Sequence, residues 1–357
     1  MKKVEFILIK ELLNIKIIEK YISLSKSEYS ENNPVSKKEH LIWKYLNNPV
    51  GISYGINGYC GDKLVARISY QNKNFIFKNK IIKGANLCDL LIHKKNRKLE
   101  NFLKLIKPFF IDKDVPGSNL SIMLPNEISI NIYKKILNIK PIGTLELRVI
   151  PILNSLIRKK LKIRIPKFIS SFSCFLSLFL LRKFQNISKL NFSTNDVRNE
   201  DYEIMIRNYY GDNLIQGKRD KNWIQWRYSS KSTINYLFEY IFLDNQLIGY
   251  FACRKSEKNG LKILVIMEIV IIKNNFLIEL TIFFKLLSIA KKLKCDLILS
   301  LRSIQNSNPL SSLLFPKIPN FLLPIPLEFF IVTNEESSPH MFDIKNWKIN
   351  MADFDIF

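Results

Sequence analysis

With 357 residues, of which 47% are hydrophobic and 12% aromatic, the chain holds enough apolar side chain for two packed cores, which excludes a disordered protein. Its 55 Lys+Arg against 31 Asp+Glu give a formal charge of +24, a balance that attracts nucleic acid, acidic lipid or phosphorylated small molecules. There is no zinc-ligand spacing and no aromatic RNP-type strand, so nucleic-acid reading is a minor option beside a generally basic, lysine-coated surface.

The five cysteines (Cys60, Cys88, Cys174, Cys253, Cys295) are odd in number and form no CxxC, as expected of reduced, small hydrophobes in a cytoplasmic protein. His40, His93 and His340 lie far apart, so no metal is expected. The opening MKKVEFILIKELL is basic and then apolar, but Glu5, Lys10 and Glu11 interrupt it, and secretion is not expected.

In chain order, the first half predicts a strand, a helix, a second helix around Trp43 and an antiparallel meander. The segment GISYGINGYCGDKLVARISYQ turns at Cys60-Gly61-Asp62, and a longer strand, IKGANLCDLLIH, places Asp89 among apolar residues. Leu99, Phe102, Leu103 and Ile106 recur at helical spacing. A short strand (SNLSIMLP), a helix (NEISINIYKKIL) and a closing strand (TLELRVIPI) complete the half. Next comes a basic stretch with an uncharged run from Phe168 to Leu181, about 14 residues against the roughly 20 that span a bilayer. Flanked by Arg158, Lys159, Lys160 and Arg182, it reads either as a linker helix packed across the two halves or as a helix lying on an anionic membrane face. Beyond it the order repeats: a hairpin turning at Asp244-Asn245, a buried strand ILVIMEIVII with Glu268, a long helix, a strand, a short helix and a closing strand.

Trp43-Lys44-Tyr45 and Trp226-Arg227-Tyr228 stand about 183 residues apart. PIGTLELRVI and PIPLEFFIV, with Glu146 and Glu328, follow at nearly that offset, as do Asp89 with Glu268 and Asn126 with Asn306. A duplicated module accounts for this spacing, with domains at 1–152 and 197–357 and the linker at 153–196.

The order of elements, ANLCDLLIHKKNRKLENFLKLI as a central strand and helix, and Asn126, Ser129 and Tyr133 in LPNEISINIYKKILNIKPIGTL together resemble the GNAT N-acetyltransferase superfamily. The WKY entry and the closing WKINMADFDIF are similar to tandem GNAT-like proteins associated with surface polysaccharides. The resemblance implies an α/β fold of two tandem domains, each a mixed, mostly antiparallel sheet flanked by helices. It implies an acetyl-CoA or other acyl-CoA donor and an amine acceptor, such as an amino sugar or a cell-surface glycan precursor. In such a site a splayed strand leaves backbone N–H groups for the thioester oxygen and the pantetheine arm, and the next helix turns its N-terminus on the pyrophosphate.

By that likeness Asp89 is the base and Tyr133 the acid, while Leu91, His93, Arg97, Lys98, Asn126 and Ser129 face the cofactor. Trp43, Tyr45, Trp226 and Glu268 are assigned to the acceptor. Counting from Arg97, however, the glycine positions of the family's pyrophosphate turn hold Glu100 and Phe102, which argues against the usual mode of CoA binding. The second half has neither arginine nor glycine there and has Leu313 where Tyr133 stands, so it reads as a degenerate copy. The leading reading is a cytoplasmic acyltransferase, peripheral to the inner membrane face. Two others stand beside it: a Fem-type transferase using charged tRNA, and a non-catalytic scaffold subunit.

Overall fold

The structure, a computed structural model, describes residues 5–108, 120–152, 179–210, 213–228, 234–273, 275–303, 317–318, 327–333 and 339–354. The chain runs β1 (Phe6–Leu12), α1 (Ile15–Lys26), α2 (Lys38–Tyr45), β2 (Tyr54–Cys60), β3 (Lys63–Phe77), β4 (Lys80–Ile92), α3 (Leu99–Ile106), β5 (Ser121–Met123), α4 (Glu127–Lys135) and β6 (Gly143–Pro151). It continues through β7 (Leu190–Ser193), α5 (Asn199–Tyr209), β8 (Ile215–Gly217), α6 (Lys221–Tyr228), β9 (Tyr236–Leu243), β10 (Gln246–Lys258), β11 (Leu261–Ile271), α7 (Phe276–Lys292), β12 (Leu297–Arg302), β13 (Leu327–Val332) and β14 (Trp347–Lys348). Most of the linker, residues 153–178, and with it most of the Phe168 to Leu181 run, lies outside the described residues, as do Asn306 and Leu313.

Local chemistry sets the hairpins. Asp244 and Asn245 take φ of 49° and 65°, and Lys78 and Asn79 take 48° and 60°. Two successive left-handed residues make the primed turn whose twist matches the flanking strands, and Asn and Asp tolerate that region best. Asn259 and Gly260 repeat it at 52° and 72° in the second half, at the place Lys78 and Asn79 hold in the first. The helices start where short polar side chains stand ready. Asn14 accepts from the Ile17 amide at 3.1 Å, Asn126 from Ser129 at 3.0 Å and Asn275 from Ile278 at 2.9 Å.

The chain divides into two compact units that are not contiguous halves. Unit 1 comprises 1–144, 212–233 and 328–346; unit 2 comprises 145–211, 234–327 and 347–357. The division at 152 and 197 drawn from the repeat therefore differs from the folded units. The reason is an exchange of closing strands: β13, late in the chain, pairs antiparallel with β5 (Phe330 with Met123, Val332 with Ser121), while β6 pairs with β12. In both strands inward apolar residues alternate with others, and that alternation alone does not choose between the two sheets.

Unit 1 has the sheet order β1-β2-β3-β4-β5-β13. Strands β4 and β5 are parallel and pair only at Ala85 with Ser121 and Asn86 with Ile122, after which β4 runs on to Ile92. One face of the sheet carries α3 and α4 over a cluster that includes Phe102, Leu105, Ile130, Tyr133 and Phe330. The other is covered by α1 and α2 through Ile17, Ile18, Tyr21, Leu41 and Tyr45. Gly55 of β2 lies directly under the Tyr21 hydroxyl, where a Cβ would collide with it, so α1 seats on the sheet only over a glycine. Unit 2 has the order β6-β12-β11-β10-β9-β7 and packs α7 on Phe251, Leu264, Ile266 and Ile298. Its parallel pair, β11 with β12, likewise stops at Ile266 while β11 continues to Ile271.

Candidate functional site in unit 1

Strand β4 changes register against β3 at one point. Arg67 faces Leu91 and Ser69 faces Cys88, so Ile68 alone stands opposite two residues, Asp89 and Leu90. The bulge puts Asp89 at φ 53°, a conformation that Asp accepts more readily than most residues. Unit 2 repeats the device: Ala252 faces Glu268 and Cys253 faces Ile266, leaving Met267 over.

Asp89 is 15% exposed and sits beside Lys44, whose ammonium is 1% exposed and 3.1 Å from Oδ2. The Tyr45 hydroxyl donates to the same oxygen. Burial first, and then the Asp89 charge, raise the Tyr45 phenol well above its ordinary range, so it stays a donor. Consecutive residues at the end of α2 thus hold the carboxylate.

A cavity of about 180 Å³ opens against this carboxylate, lined by Tyr29, Asn33, Val35, Arg67, Asp89, Leu90 and Leu91. The Arg67 side chain reaches it from β3. It is 1% exposed, its guanidinium lies 4.4 Å from the Tyr21 ring centroid, and Nη2 donates to Ser25 Oγ at 3.0 Å. Nε and Nη1 are buried and have no hydrogen-bond partner among the described residues. Tyr21 in turn donates to Asn57 at 2.8 Å, and its own phenol is raised by burial.

The other residues singled out in the sequence have different surroundings. Tyr133 belongs to the apolar cluster, with its ring centroid 6.0 Å from Phe102 and 5.9 Å from Phe330, and burial raises its phenol. Asn126 and Ser129 are engaged with each other, since Asn126 Oδ1 accepts from both the Ser129 amide and its hydroxyl, at 3.0 and 2.9 Å. They cap α4. His93 Nδ1 accepts from the Lys95 amide at 3.3 Å, and Arg97 pairs with Glu28 while its Nε donates to the Ile92 carbonyl at 2.9 Å. Lys98 is the residue before α3 and makes no side-chain cap. Of the two residues at the family's glycine positions, Glu100 turns back to Lys104 at 2.7 Å and Phe102 is buried in the core.

Trp43 and Trp226 are stacked at 5.0 Å, and each indole N–H donates to the other's carbonyl at 2.9 Å, so both donors are spent within the pair. Glu268 is 2% exposed and accepts from the Tyr250 hydroxyl at 3.1 Å, inside unit 2. The cavity therefore unites Asp89 and Leu91 from the sequence assignment, with Tyr45 and Lys44 holding the carboxylate of Asp89, and adds Arg67 and Tyr29. Arg67 had a signal in the sequence: it is the one charge inside the apolar run LVARISY. Among the described residues, no group of three or more His, Cys, Asp and Glu could hold a metal, and no helix is long and apolar enough to cross a membrane.

The short parallel pairing of β4 with β5, the bulge beside it and the α3 helix that follows form one recognisable arrangement. The fold is that of the GNAT acyltransferases. Saccharomyces cerevisiae N-myristoyltransferase with bound myristoyl-CoA and inhibitors is similar at a TM-score of 0.55 and 15% identity, over 93% of this chain and 82% of that one. A GCN5-related N-acetyltransferase from Anabaena variabilis ATCC 29413 is similar at 0.53 and 12%, over 91% and 72%. A conserved protein of unknown function from Enterococcus faecalis V583, a probable N-acyltransferase, is similar at 0.53 and 10%, over 92% and 71%. No family model and no curated protein matches the sequence.

Proposed function

We propose that this GNAT-fold chain is an acyl-CoA-dependent N-acyltransferase whose working site lies in unit 1. The observation that carries the reading is the bulge of β4, which presents Asp89, beyond the point where β4 and β5 stop pairing, to the cavity lined by Tyr29, Arg67 and Leu91. The acceptor amine attacks the thioester carbonyl, an N–C bond forms as the C–S bond breaks, and CoA leaves as the thiolate, which is protonated by the proton that Asp89 collects and passes on through solvent. Asp89 takes the proton that the attacking nitrogen sheds, directly or through a water. We infer that main-chain N–H groups at the bulge, where the regular ladder is interrupted, meet the oxyanion of the tetrahedral state.

The donor is an acyl-CoA, in keeping with the myristoyl-CoA bound by the yeast neighbours. Because Phe102 and Glu100 stand where the family has glycines, we infer that the pyrophosphate is met by side chains such as Lys98 rather than by bare main chain. The acceptor is a small amine. The test is thiol release from acetyl-, octanoyl- and myristoyl-CoA in the presence of an amine panel, with Asp89→Asn as the control. Turnover lost by about 100-fold or more in the variant supports the assignment. Release that is unchanged in the variant removes Asp89, and no release or binding with any acyl-CoA favours a scaffold role.

A further inference from the structure

The cavity beside Asp89 contains a second charge that proton transfer does not use. Arg67 is buried, it lines the cavity, and two of its three guanidinium nitrogens have no hydrogen-bond partner among the described residues. A buried cation with open donors is costly unless an anion meets it, and a planar guanidinium suits a carboxylate. Around it Tyr21 supplies a ring face and Ser25 a single acceptor, which fix the group without neutralising it. Asp89 is already shared by Lys44 and Tyr45. The two buried cations Lys44 and Arg67 and the one carboxylate of Asp89 therefore leave this cluster, of which Arg67 and Asp89 line the cavity, one positive charge over. Nearby, the carboxylate of Glu28, 6% exposed, is already engaged by Arg97.

We propose that the acceptor is a small amine that also bears a carboxylate, an α-amino acid or its close analogue, with the carboxylate on Arg67 and the amine toward Asp89. This assignment rests on the acyltransfer reading above for the fate of the amine, but the anion site is independent of it. A carboxylate supplies the missing negative charge, and a neutral attacking nitrogen adds none, so the balance is met at the moment of reaction. The volume of about 180 Å³ admits a group of amino-acid size. The apolar wall of Val35, Leu90 and Leu91 gives an aliphatic side chain a place to rest.

Isothermal titration of the full chain, without any CoA, separates this proposal from the function itself. The probes are leucine, leucinamide and 4-methylpentanoate, which share a side chain and differ in carboxylate and amine. Leucine is expected to bind at least about tenfold more tightly than leucinamide, and Arg67→Gln is expected to abolish that preference. Arg67→Lys keeps the charge, loses the planar donors and is expected to retain part of it. Equal affinity for leucine and leucinamide, or no binding of leucine at millimolar concentration, overturns the proposal. The comparison of acid and amide is made on the unaltered protein and stands even if the variants fail to fold. If thiol release is supported equally by uncharged amines, the acyltransferase reading survives and this one does not.

Discussion

Lys44 and Asp89 are bound to each other's fate. The lysine is 1% exposed and its ammonium has the Asp89 carboxylate at 3.1 Å, so removing the carboxylate leaves a buried charge without its counter-ion. Asp89→Asn is expected to lower stability by about 2–4 kcal/mol, and adding Lys44→Met to recover part of that loss. Chemical denaturation of the single and double variants measures the coupling, and strictly additive losses would show that the pair is not acting as one. Glu146 makes the complementary case in unit 2. Burial alone would raise its pKa, but hydrogen bonds from Arg148 and Lys317 outweigh burial and hold the carboxyl below its ordinary value of 4.5. A depressed folded-state value contributes stability above the unfolded value, and that contribution is lost as pH falls through the folded one. Glu146→Gln is therefore expected to flatten the loss of Tm on acidification below about pH 4.5, with little effect on its slope near neutrality. At Cys253 the direction is opposite: burial pushes the thiol up to about 12, so it should resist thiol reagents at neutral pH while the half-buried Cys60 and Cys88 react first.

At the level of elements, the repeated aromatic motif was visible in the sequence but its role was not. A WKY or WRY triplet reads as a binding feature, and only in three dimensions does each indole answer the other's carbonyl. Two donors satisfied reciprocally and a stacked ring pair predict that Trp43→Phe and Trp226→Phe each cost roughly 1–3 kcal/mol. The double variant should cost less than the two together, and a thermal melt of the four proteins checks this. The hairpins were legible because their turns are local: Asp244 and Asn245 hold both left-handed positions, as read from the pattern. The family likeness implied a splayed central strand, but not the bulge in β4. Nothing in NLCDLLIH itself marks Asp89 rather than Cys88 as the extra residue, because a register shift depends on the partner strand. Tyr133 misled for a related reason. Helical spacing puts it on the inner face of α4, and an inner face serves a core as readily as a site.

For the whole molecule, the duplication foretold the order of elements and missed the ownership of the last strands. Periodicity shows that Leu145, Leu147 and Phe329 alternate inward, and it does not say into which sheet. Because β13 closes the sheet of unit 1 on β5, the segment 1–152 expressed alone should be aggregation-prone, its β5 edge bare. Co-expression of 1–165 with 166–357 should restore soluble protein, as read by co-purification. Soluble, cooperatively melting 1–152 would contradict the exchange.

That exchange also sets a timetable on the ribosome. Strands β1 to β5 of the first sheet are made by residue 123, but the strand that pairs with β5 is not made until residue 332. At about 5–20 residues per second, the nascent chain waits on the order of 10–40 s with an open flank. Holding that flank apart from neighbouring polysomes is work for a chaperone, and synonymous codons that slow the second half would lengthen the exposure.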